Sequence, residues 1–149
     1  MKTLVTNEIH RFLQFHALEM QDNKIKIANR YLANYEEYIR VLSFLNSYIK
    51  TVEKALDLLD ISIGEHIPPF VIIGSKVELK DANAERKYVF LTDESGEYAP
   101  VSAPCEAVPF HSGLGKELLF KEVGYTIKTE KGGNEFMGTI EQISYDLIL

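Results

Sequence analysis

The sequence predicts an α+β protein, in which an N-terminal antiparallel helical hairpin (a coiled coil) precedes a small antiparallel β-sheet domain with one short helix. Two observations predict this division. The first sixty residues hold no Pro or Gly and have apolar residues at helical spacing. After Asp60, Gly and Pro appear and β-branched runs alternate with turn residues. We therefore expect a hairpin over residues 1–61, a linker over 62–70 and a β-rich domain over 71–149.

Apolar residues at steps of three and four predict the two helices of the hairpin. In the first helix the face is Val5, Ile9, Phe12, His16 and Met20. In the second, an uninterrupted a/d seam is formed by Ala28, Tyr31, Tyr35, Tyr38, Leu42, Leu45, Ile49, Val52, Leu56 and Leu59. A helix of that extent would be about 48 Å long. The first helix is the nearest partner for this seam, and dimerisation through the seam is the alternative.

The position of the bend between the helices stays open between two places. Gln21, Asp22 and Asn23 have the best turn chemistry. Arms of equal length would instead put the bend near residues 27–30. The candidate tip residues across both places are Asp22, Lys24, Lys26, Asn29 and Arg30.

The strands of the second part are predicted from alternating apolar residues bounded by turns. We expect strands over residues 76–79, 87–91, 125–129 and 136–145, and a short helix over 113–119. Turns are expected at 81–84 and 93–97, and Gly132-Gly133 predicts a tight hairpin.

Composition and charge indicate a cytoplasmic protein that does not adhere to nucleic acid or membrane. The net charge is −6, which disfavours unspecific binding to polyanions. Cys105 is the only cysteine and permits no internal disulfide. Glu8, His10 and Arg11 interrupt any leader-like apolar segment, and no run approaches the roughly 20 apolar residues that cross a bilayer.

Several spaced motifs of the second part resemble the C-terminal domain of the bacterial Gre transcript-cleavage factors. Gly74-Ser75-Lys76-Val77 resembles the Gly-Ser-x-Val strand that opens this domain. Residues 112–124 resemble the segment Ser-Pro-Leu-Gly-x-x-Leu-Leu-Gly-Lys-x-x-Gly, and residues 127–145 resemble the closing hairpin that ends in Tyr. The resemblance covers residues 70–145 and implies an FKBP-like fold, which by itself confers no prolyl isomerase activity.

The resemblance implies a partner and a docking loop. In these factors the loop before the short helix helps to grip a coiled coil at the rim of the secondary channel of RNA polymerase. The matching positions here are His111, Ser112 and Gly113. Two residues depart from the motif, because Gly113 replaces the Pro after the loop Ser and Phe120 replaces a Gly. The stretch from 98 to 110 is also longer than in the family.

The predicted tip disfavours stimulation of transcript cleavage. Cleavage-competent Gre factors present paired acids at the tip, because carboxylates help to hold a second Mg²⁺. This chain has Lys24, Lys26 and Arg30 but no acid between Asp22 and Glu36. We therefore predict a polymerase-binding elongation or regulatory factor, closer to the related regulators of nucleoside diphosphate kinase than to the cleavage factors.

Two other functions are left as alternatives, a cleavage-stimulating Gre factor and a dimerising coiled-coil module unrelated to polymerase. An enzyme is not expected, since no catalytic set converges. No cofactor or metal is predicted, because His66, Cys105 and His111 follow no common zinc spacing. We expect neither sequence-specific nucleic-acid binding nor a membrane partner, and a monomer or weak dimer.

Overall fold

The computed structural model describes residues 3–61, 67–92, 106–131 and 134–145. The chain forms two compact units, Met1–Ile67 and Pro68–Leu149. The first is a helical hairpin and the second is a five-stranded sheet with a short helix, so the predicted fold class is confirmed. The predicted linker at 62–70 stays a prediction, since residues 62–66 lie outside the described ranges.

The first unit is built from two helices of equal length and a small pair of strands. The elements are β1 (Thr3–Val5), α1 (Asn7–Ala28), a 3-10 turn (Asn29–Tyr31), α2 (Tyr35–Leu56) and β2 (Leu59–Ile61). Strands β1 and β2 pair in parallel, Thr3 with Leu59 and Val5 with Ile61. The first sixty residues are therefore not helical throughout, and α2 is about 33 Å long rather than 48 Å.

Side chains between the two helices form the core of the hairpin. The buried residues are Ile9, Leu13, Ala17, Met20, Ile27 and Ala28 on α1, and Val41, Leu45, Tyr48, Ile49 and Val52 on α2. This set matches the predicted faces only in part. Val41 and Tyr48 are buried where the strict a/d seam would have used Leu42, because a helix of a globular unit buries a wider stripe than a coiled-coil seam.

A histidine lies in this interface. His16 Nε2 is 2.7 Å from Tyr48 Oη, and the two rings meet edge to face. Phe12 stacks on the imidazole from the same helix. Burial lowers the pKa of His16 from 6.5 to about 4, so the ring is neutral at pH 7 and serves as a hydrogen-bonding core residue.

The second unit is a mixed sheet with strand order β5-β4-β3-β7-β6. Its elements are β3 (Lys76–Asp81), β4 (Arg86–Thr92), β5 (Glu106–Pro109), α3 (Gly113–Leu118), β6 (Thr126–Lys131) and β7 (Asn134–Ser144). The pairs β3–β4, β3–β7 and β6–β7 are antiparallel, as predicted. Strand β5 was not predicted, and it pairs with β4 in parallel. The predicted turn at 93–97 and Gly132-Gly133 lie outside the described residues.

Residues of the sequence motifs make two hydrogen bonds within the second unit. Ser75 is fully buried, and its Oγ accepts a hydrogen bond from the N–H of Ile72 at 2.9 Å. Gly74 beside it has φ +94°, a conformation that favours glycine. At the other end, the Tyr145 hydroxyl donates to the carbonyl of Phe70. The Gly-Ser pair and the final Tyr of the motif therefore have structural roles.

Candidate functional site

The tip of the hairpin is a compact turn between Ala28 and Tyr35. The N–H of Leu32 donates to the Asn29 carbonyl at 3.2 Å, and the N–H of Asn34 donates to the Tyr31 carbonyl at 3.0 Å. Asn34 then caps α2, because its Oδ1 accepts from the N–H of Glu37 at 3.2 Å. Of the two positions considered for the bend, the later one, residues 27–30, is the nearer to the observed turn, which begins at Asn29.

The predicted tip residues divide into two groups. Asn29 and Arg30 lie in the 3-10 turn at the tip itself. Asp22, Lys24 and Lys26 lie along α1, and the bend at Asp22 is wrong because α1 continues unbroken to Ala28. Lys24 Nζ donates to Asn46 Oδ1 at 2.9 Å, a link between the two arms.

Two acids stand closer to the tip than the sequence analysis assumed. Glu36 and Glu37 form the first turn of α2, directly after the cap at Asn34. The Glu37 carboxylate is 3.6 Å from the Arg40 guanidinium on the same helix. The positive end of the helix dipole stabilises carboxylates in the first turn of α2. The tip thus combines Arg30 on one side of the turn with two carboxylates on the other.

The tip also exposes apolar surface. Leu32 is 55% exposed and Tyr35 is 69% exposed, whereas Tyr31 between the arms is buried. Tyr35 stacks on Tyr38 with ring centroids 6.1 Å apart. The prediction that Tyr35 packs in the seam is therefore wrong. The spacing of Asn34 and Glu37, a capping signature, would have located the start of α2.

In the second unit, Ser112 organises the loop before α3. Its Oγ donates to the Pro109 carbonyl at 2.7 Å and accepts from the N–H of Gly115 at 3.1 Å. Both bonding roles of the hydroxyl are therefore used within the chain. Ser112 is the N-cap of α3 and holds the loop in place.

His111 and Gly113 lie on either side of this cap. The His111 ring is partly buried and meets the Phe110 ring at 5.1 Å, edge to face. Gly113 is exposed, and no atom lies within 4 Å of where a Cβ would stand. The three predicted docking residues span the end of the loop and the first residue of α3, and Gly113 is the exposed one of the three.

Other motif positions fix the backbone around α3. A Cβ on Gly115 would stand 2.2 Å from the Pro109 carbonyl oxygen, which leaves no room for a side chain. Gly124 has φ +95°. Phe120 has φ +66°, although it is not a glycine, and its ring packs on Phe70 at 5.7 Å. From the sequence, Phe120 is evident only as a departure from the motif.

The residues described form no cluster of three or more metal-ligating side chains. Cys105 and His66, which were weighed as ligands with His111, lie outside the described ranges. Within those ranges, no helix combines the length and the apolar character that crossing a bilayer requires.

The class of protein that these features define is a helical hairpin with a structured tip, joined to a mixed-sheet domain with a capped loop. Scans against models of protein families and against curated proteins find no match.

Among solved structures, the chain is similar to GreA factor homolog 1 of Thermus thermophilus, with 20% identity and a TM-score of 0.43, covering 97% of this chain and 99% of that one. It is also similar to the transcription elongation factor GreA/GreB from Nitrosomonas europaea, with 18% identity and a TM-score of 0.49, covering 97% of this chain and 100% of that one.

Proposed function

We propose that this chain is a bacterial transcription factor that binds RNA polymerase at its secondary channel and does not stimulate transcript cleavage. In this proposal the hairpin enters or covers the channel, and the loop at 111–113 docks on the rim. The observation that carries it is the backbone of the segment from Ser112 to Gly124. The dihedral angles of this segment are ones that the residues of the Gre motif can adopt, also at positions where this chain has a different residue.

Two positions at which this chain departs from the motif bear on the proposal. Ser112 has φ −73° and ψ 168°, which is compatible with a following Pro but is also the ordinary conformation of a helix N-cap, as Thr6 before α1 has φ −73° and ψ 161°. Gly113 is the first residue of α3, where Pro is favoured. Phe120 has the positive φ that favours Gly, the residue of the motif. Phe120 is the position that supports the resemblance, because a residue other than glycine rarely adopts this φ.

The docking loop would act through its backbone and the imidazole. Ser112 is committed to bonds within the loop, so its role is to hold His111 and Gly113 in position. Gly113 allows a partner helix to approach closely. A rim contact of this kind belongs to a regulatory factor rather than to an enzyme, and a polymerase partner implies the cytoplasm.

The charges at the tip support occupancy of the channel without metal recruitment. Arg30 lies in the turn, and Arg40 lies beside the Glu37 carboxylate. Positive charge near a carboxylate weakens its attraction for Mg²⁺. We therefore expect inhibition or modulation, as in the regulators of nucleoside diphosphate kinase that the sequence resembles.

Stimulation of cleavage is the second candidate, and Glu36 and Glu37 favour it. They are two carboxylates next to the tip, the residue type that a second Mg²⁺ requires. The two candidates differ only in what the tip does, since both require the same docking.

Binding is tested with purified bacterial RNA polymerase and the full chain. A photo-crosslinker in place of Leu32, at the tip, should label the interior of the secondary channel. The same crosslinker in place of Leu58, which is 64% exposed near the base of the hairpin, is the matched control and should not label it. Absence of binding would end the proposal, and labelling only outside the channel would end the insertion model.

The role of the tip is tested by transcript cleavage in a backtracked elongation complex. We expect the chain to leave cleavage unstimulated. Cleavage that is stimulated by the parent and lost in the Glu36→Gln, Glu37→Gln double variant would establish the second candidate instead.

A further inference from the structure

The outer face of α1 carries a second apolar stripe. Phe15, Leu18 and Ile25 are 66%, 65% and 55% exposed. At 100° per residue they lie opposite the buried residues of the same helix, which are Ile9, Leu13, Ala17 and Met20. A helix that packs on one neighbour needs only one apolar face. The packing of α1 on α2 therefore does not account for this stripe.

Charged residues continue the stripe at both ends. Glu8 and Arg11 precede its centre, and Asp22 and Lys26 follow it; all four are exposed. Glu19 and Ile25 are exposed on the same face as well. With Phe15 and Leu18 between them, the four charges named above run negative, positive, negative, positive along the helix. Read in reverse, each charge is opposite in sign. The stripe is therefore complementary to a copy of itself in antiparallel orientation, and not in parallel orientation.

An antiparallel pairing of two α1 helices has a natural register. With a two-fold axis midway between Phe15 and Leu18, Phe15 packs on Leu18 of the second copy. Arg11 then lies opposite Asp22 of the second copy. Glu8 lies opposite Ile25 of the second copy and one residue from its Lys26, and Glu19 lies opposite the uncharged Gln14. Residues 7–26 overlap, which is about 30 Å of helix. Each of these contacts occurs twice, because a two-fold interface is isologous.

We propose that a second copy of this chain packs on the outer face of α1 and forms a symmetric antiparallel dimer. Self-complementary charge around an exposed apolar centre favours a second copy over an unrelated partner, whose recognition would not require the reversed order of signs. The proposal goes beyond the proposed function and does not depend on it. It differs from dimerisation through the α2 seam, which is occupied by α1.

The oligomeric state of the full chain is the first test. Sedimentation equilibrium should show a monomer–dimer equilibrium with a Kd in the micromolar range. Leu18→Glu, at the centre of the interface, should raise the Kd about a hundredfold, because it enters the dimer twice. Leu58→Glu is the matched control at nearly equal exposure and should leave the Kd unchanged. A parent chain that stays monomeric up to about 1 mM overturns the proposal.

Charge reversal tests the register and needs only exposed positions, so folding is not at stake. Arg11→Asp and Asp22→Arg should each raise the Kd about tenfold, since each places like charges opposite one another twice. A mixture of the two single variants should form a heterodimer of parental affinity, and the double variant should dimerise again by itself. Single variants that dimerise like the parent, or a mixture that stays monomeric, refute the antiparallel pairing.

Discussion

Replacement of Gly113 by Pro should stabilise the second unit. Gly113 is the first residue of α3, so its N–H has no partner within the helix and its loss removes no helical bond. Ser112 already has the φ and ψ that a following Pro requires. The φ of Gly113 lies outside the left-handed region, and the space where its Cβ would stand is open. Each condition for a compatible Pro is therefore met.

The expected gain in stability comes from the smaller conformational entropy of the unfolded chain when Pro replaces Gly. Glycine has the greatest backbone freedom when unfolded and Pro the least, so a compatible exchange gains about 0.5–1 kcal/mol. For a unit of this size, about 1 kcal/mol raises the Tm by roughly 4–8 °C. Thermal and urea unfolding followed by circular dichroism measure this gain.

Gly115→Ala is the contrasting variant two residues along. Its Cβ would stand 2.2 Å from the Pro109 carbonyl oxygen, so the loop must move and we expect a loss of about 2 kcal/mol or more. If Gly113→Pro instead destabilises the chain by 1 kcal/mol or more, the assignment of Gly113 to the first turn of α3 is wrong, and the backbone at this position does not accept the Pro of the Gre motif.

Three further perturbations address the other special positions. Phe120→Gly should be about 1 kcal/mol more stable than Phe120→Ala, because both lose the ring contact with Phe70 but only Gly accepts φ +66° freely; the reverse order in urea unfolding would contradict a left-handed residue there. Tyr145→Phe should cost about 1–2 kcal/mol, since it leaves the buried Phe70 carbonyl without its donor, and an unchanged urea midpoint would count against that bond. The hairpin should lose roughly 3 kcal/mol between pH 6.5 and 4, because burial lowers the folded pKa of His16 to about 4, so the unfolded chain takes up the proton first as the pH falls. A His16→Leu variant should lose that part of the pH dependence, and a parallel decline in parent and variant would exclude His16 as its source.

The sequence predicted the two units because helical and strand periods differ over long stretches. It failed at the ends of elements, where periodicity carries no information. Tyr35 continues the a/d spacing of α2, yet it lies at the tip, since a spacing cannot tell whether the partner helix reaches that far. The signal that was available was the cap, Asn34 followed by Glu37 three residues later.

Non-local pairing explains the other misses. Strand β5 ends in Pro109, follows Pro104 closely in the sequence and has no alternation, and only its partner β4 makes it a strand. The need for glycine at residue 115 arises from the Pro109 carbonyl, which folding brings against it. The short helix was predicted to begin at Gly113, and α3 does begin there; the docking role of residues 111–113 stays a prediction. What the sequence could not show is that the Ser112 hydroxyl donates and accepts hydrogen bonds within the chain, to Pro109 and from Gly115.

The two proposals make competing claims on the hairpin. A dimer through α1 places two hairpins side by side, and each helix with its side chains is about 10–12 Å across. A channel that admits one hairpin would not admit the pair, so polymerase should bind the monomer and draw it from the dimer. Polymerase binding should then become less effective as the chain concentration exceeds the dimer Kd, and Arg11→Asp should remove this dependence while it preserves the affinity at low concentration. If Arg11→Asp abolishes polymerase binding even at low concentration, the outer face of α1 serves the polymerase, and the charge order along that face is a feature of that interface rather than of self-association.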